Sequence, residues 1–185
     1  MRIEATTKGF EQCMKRLEPV AMQRAVVDAT NRTAAMARTA AIKTVGRLYN
    51  LPAKMIKEKS TLLKAKPGQP VAFIWAKSNR GMSLAHFGAK QTKRGVSVAV
   101  KRGGRKMLPG AFMATMPSGH RGVFYRSKSG KGRVRRYPIQ ALYGPSIALL
   151  FASRAVSDVV RKTSQDNFPR IFQSRYDHYR DRGAR

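Results

Sequence analysis

The residue types that most often perform catalysis are scarce and scattered in this chain. The three histidines, His86, His120 and His178, stand far apart in sequence and have no partners at metal-ligand spacing. Cys13 is the single cysteine. A zinc site needs several closely paired Cys, His or carboxylate ligands, so none is predicted. The nine carboxylates fall at the two ends: Glu4, Glu11, Glu18, Asp28 and Glu58, then Asp158, Asp166, Asp177 and Asp181. Between Lys59 and Ser157 there is none. Paired-carboxylate acid–base chemistry and two-metal hydrolysis therefore have nothing to be built from in the middle of the chain. Ser129-Gly130-Lys131-Gly132 is only a fragment of a phosphate-binding loop and lacks the rest of that motif. The expectation is a protein that is not an enzyme and takes no cofactor or metal.

The chemistry that is abundant is anion contact. The 185 residues carry 38 Lys and Arg against 9 Asp and Glu, a formal net charge of +29. A small domain usually carries a magnitude of about 2–8. The acid-free stretch, counted with Lys59, holds 20 of these cations. Such a surface is either a solvated face, a contact for a polyanion, or a contact for an acidic protein ring. Two clusters are the candidate contacts. One is Lys101, Arg102, Arg105 and Lys106. The other is Lys128, Lys131, Arg133 and Arg135, interleaved with Gly130 and Gly132, which let the backbone adapt to a neighbour.

These clusters must be held by a folded frame. Apolar residues make up 42% of the chain, enough for a packed core and one domain over residues 1–185. The longest apolar run, Ile147–Ala152, is far short of the roughly 20 residues of a membrane span. The first 20 residues lack the apolar centre of a secretory signal.

Helical spacing predicts a helical N-terminal part over residues 8–59. Phe10, Cys13, Met14 and Leu17 form one apolar stripe over 8–17 and make Cys13 a core residue, not a nucleophile. With no internal disulfide to form, the chain suits a reducing compartment. Pro19 suits the first position of a long Ala-rich helix over 19–48, with Ala34, Ala37, Ala41, Val45 and Leu48 on one face. A short helix follows Pro52; it is too short, and its turn too ill-defined, for a DNA-reading helix-turn-helix. Strand-like segments come next, at 62–63, 71–75, 95–100, 107–114 and 123–126, in a basic part spanning 61–145. Residues 77–94 and 127–136 are predicted as basic loops, the first of them mobile. Residues 146–180 are predicted as a C-terminal helix, kinked at Phe168-Pro169. The order predicts α+β: N-terminal helices, a central antiparallel sheet with long basic loops, and a long C-terminal helix packed on the sheet.

Three stretches, read together, resemble the phage minor tail protein Z family. They are Lys106-Met107-Leu108-Pro109-Gly110-Ala111-Phe112, then Gly122-Val123-Phe124-Tyr125-Arg126, then Arg136-Tyr137-Pro138-Ile139 with Gly144-Pro145-Ser146. The Ala-rich helix followed by Pro52-Ala53-Lys54-Met55-Ile56-Lys57-Glu58-Lys59 is similar to the family's second helical unit. The resemblance covers roughly residues 8–180, and the insertion at 77–94 departs from it. Pro109, Gly110, Phe112, Arg136, Tyr137 and Pro138 are expected to maintain the fold, since Pro109-Gly110 makes a turn and Pro138 holds Tyr137 extended.

The resemblance implies a virion protein of the tail or neck, assembled in the host cytoplasm as a tail-completion component. It implies a homo-hexameric ring at the head-proximal end of the tail, supporting head–tail joining and passage or positioning of the DNA end. Its partners would be itself, a tail terminator, tail tube or neck protein, and the phage DNA end, with no membrane. The alternative from composition is a basic nucleic-acid binder of ribosomal or nucleoid type. An RNA binder places aromatics on an open sheet face, whereas here they follow core-like periodicities.

Overall fold

A computed structural model describes residues 19–76, 81–126 and 138–183. The helix expected over 8–17, the first residues (77–80) of the loop expected over 77–94 and the loop expected over 127–136 lie outside the described residues. The chain is mixed helix and antiparallel sheet, as expected. Its contacts gather in two compact units, each drawn from separate stretches of the chain. Residues 1–44, 60–77 and 151–185 form the first unit; residues 45–59 and 78–150 form the second.

Helix α1 spans Pro19–Leu48. Ala25, Ala29, Thr33, Ala37, Ala41 and Val45 are buried at a strict spacing of four, so small side chains line its inner face. Leu48, expected on that face, is instead exposed, because the stripe ends at Val45. In the first unit, β1 (Ser60–Leu63) and β2 (Phe73–Ala76) pair antiparallel, with Thr61 opposite Trp75 and Leu63 opposite Phe73. Asn31 ties α1 to the chain beyond β1: its Nδ2 donates to Ala65 O at 3.2 Å and its Oδ1 accepts from Ala65 N at 2.7 Å. Arg38 donates to the Oγ of Ser60 at 3.4 Å.

The C-terminal region is two helices, α3 (Ile147–Phe151) and α4 (Arg154–Gly183), split at Ala152-Ser153. Helix α4 continues through Pro169. Its far half seats on α1: Tyr176 is buried with Ala21, Met22 and Ala25, and Phe172 and Tyr179 pack on that cluster. Arg175 meets Asp28 at 3.2 Å. Phe168, Phe172 and Tyr176 stack along α4 with centroids 6.1 and 6.2 Å apart, the product of their four-residue spacing.

The second unit holds helix α2 (Ala53–Glu58) and two three-stranded antiparallel sheets. One has the order β3 (Lys90–Thr92), β4 (Gly95–Val98), β5 (Lys106–Pro109). The other has the order β6 (Ala111–Thr115), β7 (Arg121–Arg126), β8 (Ile139–Leu142). The strands are thus spread over small sheets and not gathered in one. The strand-like segment at 107–114 is two strands, divided at the turn expected of Pro109-Gly110, where Gly110 takes φ +70 between β5 and β6. Val96 and Val98 of β4 are buried, as their alternation predicts. Residues 81–94, expected as mobile loop, carry a 3-10 turn at Leu84–His86 and strand β3. Met82, Leu84 and Phe87 are buried and anchor this stretch despite its cations. Gly144 allows the close approach of Phe87, whose Cε2 would lie 2.7 Å from an added Cβ.

Candidate anion-binding site

The first basic cluster sits on the connection between β4 and β5. Three backbone bonds hold it in the second unit. Asn50 N donates to Val100 O at 3.1 Å, Arg102 N donates to Leu48 O at 3.0 Å, and Ala99 N donates to Phe87 O at 3.0 Å. The connection turns at Arg102-Gly103, where Gly103 has φ +92, the sign a type II turn needs at its third position.

Arg105 is fixed in place. Its Nε donates to Ser97 Oγ at 3.0 Å, and its Nη2 donates to Gly88 O at 2.8 Å and Ser97 O at 3.0 Å. Nη1 has no protein acceptor among the described residues. Lys101, Arg102 and Lys106 are exposed. Lys101, Arg102 and Arg105 line an open depression of about 440 Å³ with Asn50, Ala99, Gly103 and Gly104. The structure therefore gathers three of the four predicted residues. Lys106 lies beside them on β5, opposite Val98, outside the lining. Lys128, Lys131, Arg133 and Arg135 lie outside the described residues.

The site's field is set by the company its residues keep. The second unit carries 19 Lys and Arg and a single carboxylate, Glu58. The first unit carries the other eight acids against 19 cations. Ion pairs form there: Asp28 with Arg32 and Arg175, Asp158 with Arg154, and Asp177 and Asp181 with Arg180.

Of the histidines, His86 is perturbed within the second unit. Desolvation first, then the charges of His120 and Lys59, push His86 below the ordinary imidazole value. His120 stands edge-on to Phe124 with centroids 6.3 Å apart. His178 packs on Tyr179 of α4. Among the described residues no group of three or more His, Cys, Asp or Glu is placed to hold a metal.

The motif residues that are described lie in or beside the strands of the second unit. Pro109 pairs with Gly95, and Gly110 makes the β5–β6 turn. Phe112 lies 6.1 Å from Phe124, and the Arg126 guanidinium sits 5.4 Å over the Phe112 ring. Pro138 leads into β8; Arg136 and Tyr137 lie outside the described residues. Sequence reasoning missed Asn50, Ser97 and Gly88. They contribute through backbone position or a single hydroxyl, and no residue pattern announces that.

The model of the prophage minor tail protein Z family matches residues 7–179. The chain belongs to that family. A tail completion protein of Escherichia phage N15 is 28% identical over 155 residues, covering 77% of this chain and 80% of that protein. No solved structure matches. The family match spans stretches of both units, including the residues of the basic depression.

Proposed function

We propose that this minor tail protein Z family member is a structural component of the phage tail that completes the tail at its head-proximal end. The observation that supports this most directly is the similarity to the phage N15 tail completion protein along 77% of the chain. The protein acts as a ring of identical subunits, built in the host cytoplasm and retained in the virion. It touches the neighbouring tail or neck ring and the end of the DNA, and it catalyses nothing. Its charge supports a partner of opposite sign, since subunits at +29 repel one another until acidic matter neutralises them. Among the described residues no helix is long and apolar enough to cross a membrane.

Deleting the gene from its prophage and imaging the lysate tests this reading. The expected result is DNA-filled heads beside unjoined tails, rescued by the gene in trans. Normal infectious particles would remove the tail role and favour the nucleic-acid-binder alternative. Within completed tails, cross-linking should link like subunits; monomer-only products would remove the ring.

A further inference from the structure

We propose that the depression at Lys101, Arg102 and Arg105 is a seat for a carboxylate-bearing turn of a partner protein. The seat is built before any partner arrives. Three hydrogen bonds hold the Arg105 guanidinium in one plane and leave Nη1 free to donate. Its side-chain entropy is therefore already lost, and a planar fork suits a carboxylate. Gly103 and Gly104 bring bare backbone to the lining, and an added Cβ at either would meet nothing within 4 Å. Lys101 and Arg102 flank this floor as exposed cations in a unit with one carboxylate of its own.

Two features favour an acidic protein segment over nucleic acid. The cations converge on a spot of about 440 Å³, which takes a side chain or a turn. Duplex binding instead uses phosphate contacts distributed along the backbone. The lining also contains no aromatic ring, so a single strand would find no stacking platform. In the tail-completion reading, on which this assignment rests for its setting, the turn belongs to the adjoining ring.

The probe is an acetylated, amidated tetraglutamate peptide, titrated into the full chain at about 0.3 M salt, where distant exposed charges are screened. Backbone NMR follows the Gly103 and Gly104 amides. They should move most and saturate. Arg102→Gln and Arg105→Lys should each weaken binding about tenfold, the loss of one charge-assisted hydrogen bond. Lys90→Gln, on β3 of the same unit, should leave it unchanged. Arg102 is exposed and makes no side-chain bond among the described residues, so its variant stays folded even if the Arg105 variant does not.

Equal weakening by Lys90→Gln would overturn the seat in favour of a diffuse field. A short duplex DNA that saturates the same two amides more tightly than the peptide would overturn it in favour of nucleic acid. Arg102→Gln phage with normal head–tail joining, but without peptide binding in the purified variant, would keep the seat and remove it from tail completion. Wild-type protein that ignores the peptide would overturn the seat and leave the tail role standing.

Discussion

Asn31 shows how one side chain can replace a strand of backbone partners. Its amide gives and takes a hydrogen bond with Ala65, whose own residue is buried. Asn31→Ala would leave the Ala65 N–H and C=O without partners, at a cost of about 2 kcal/mol. A lowered thermal midpoint checks this, and Asn31→Asp should fall between, since it accepts but cannot donate. His86 behaves differently because its effect depends on pH. Its pKa is lowered by desolvation and then by His120 and Lys59. The folded protein thus binds the proton less readily than the unfolded chain. This contribution to stability is complete above the ordinary imidazole value of about 6.5 and is lost as pH falls through the lower folded value. In an NMR titration His86 should titrate below its ordinary value, and His120→Ala should move it upward. Neither His86→Ala nor His120→Ala should impair particle assembly by more than a few-fold; a large loss with the fold intact would reveal a site at this pair. None of this was visible in the sequence, because Asn31 and Ala65 lie 34 positions apart and His86 and His120 lie on separate elements.

Secondary elements were legible where local chemistry and packing agree. Helix α1 runs over the very span that Pro19 and the alanine spacing predict. Strand β4 keeps the valine face that its alternation shows. Legibility failed where long-range contacts decide. Buried Leu84 and Phe87 fix a stretch whose cations and glycines suggest a loop, and the strands on either side of the expected Pro109-Gly110 turn belong to different sheets. The basic depression was half legible: its cations are a visible cluster, but the clamps on Arg105 come from Ser97 and Gly88. Two glycines give opposite predictions. Gly95 opens β4 with φ +149, and a Cβ there would lie 2.1 Å from Leu108 O. Gly95→Ala should destabilise the second unit by more than about 2 kcal/mol. Gly46 lies within α1 at ordinary φ with nothing within 4 Å of a Cβ. Gly46→Ala should stabilise by about 0.5–1 kcal/mol. Pro169→Ala should also stabilise, by up to about 3 kcal/mol, because it restores a backbone donor inside exposed α4. Paired thermal melts of the three variants check the order.

At the scale of the molecule, charge is sorted between the two units. The first neutralises part of its own; the second has 19 cations and one acid. Self-association of the purified protein should therefore rise with added salt, as screening weakens subunit repulsion. Sedimentation at low and high salt checks the sign. Lys128, Lys131 and Arg133, which the sequence predicts on a basic loop, offer a second measurement. If it meets DNA phosphates, changing all three to Ala should flatten the salt slope of DNA affinity by about two to three units.

The interleaving of the units also sets an order on the ribosome. The second unit is complete once Leu150 has emerged, whereas the first waits for the strand of chain from Phe151 onward. Until then, the buried face of α1 around Ala21, Met22 and Ala25 lacks Tyr176, which covers it. The basic unit is thus born first and stands folded while its neighbour is still unfinished. A nascent chain arrested after Leu150 should resist protease across β3–β7 and remain open along α1 up to Thr44.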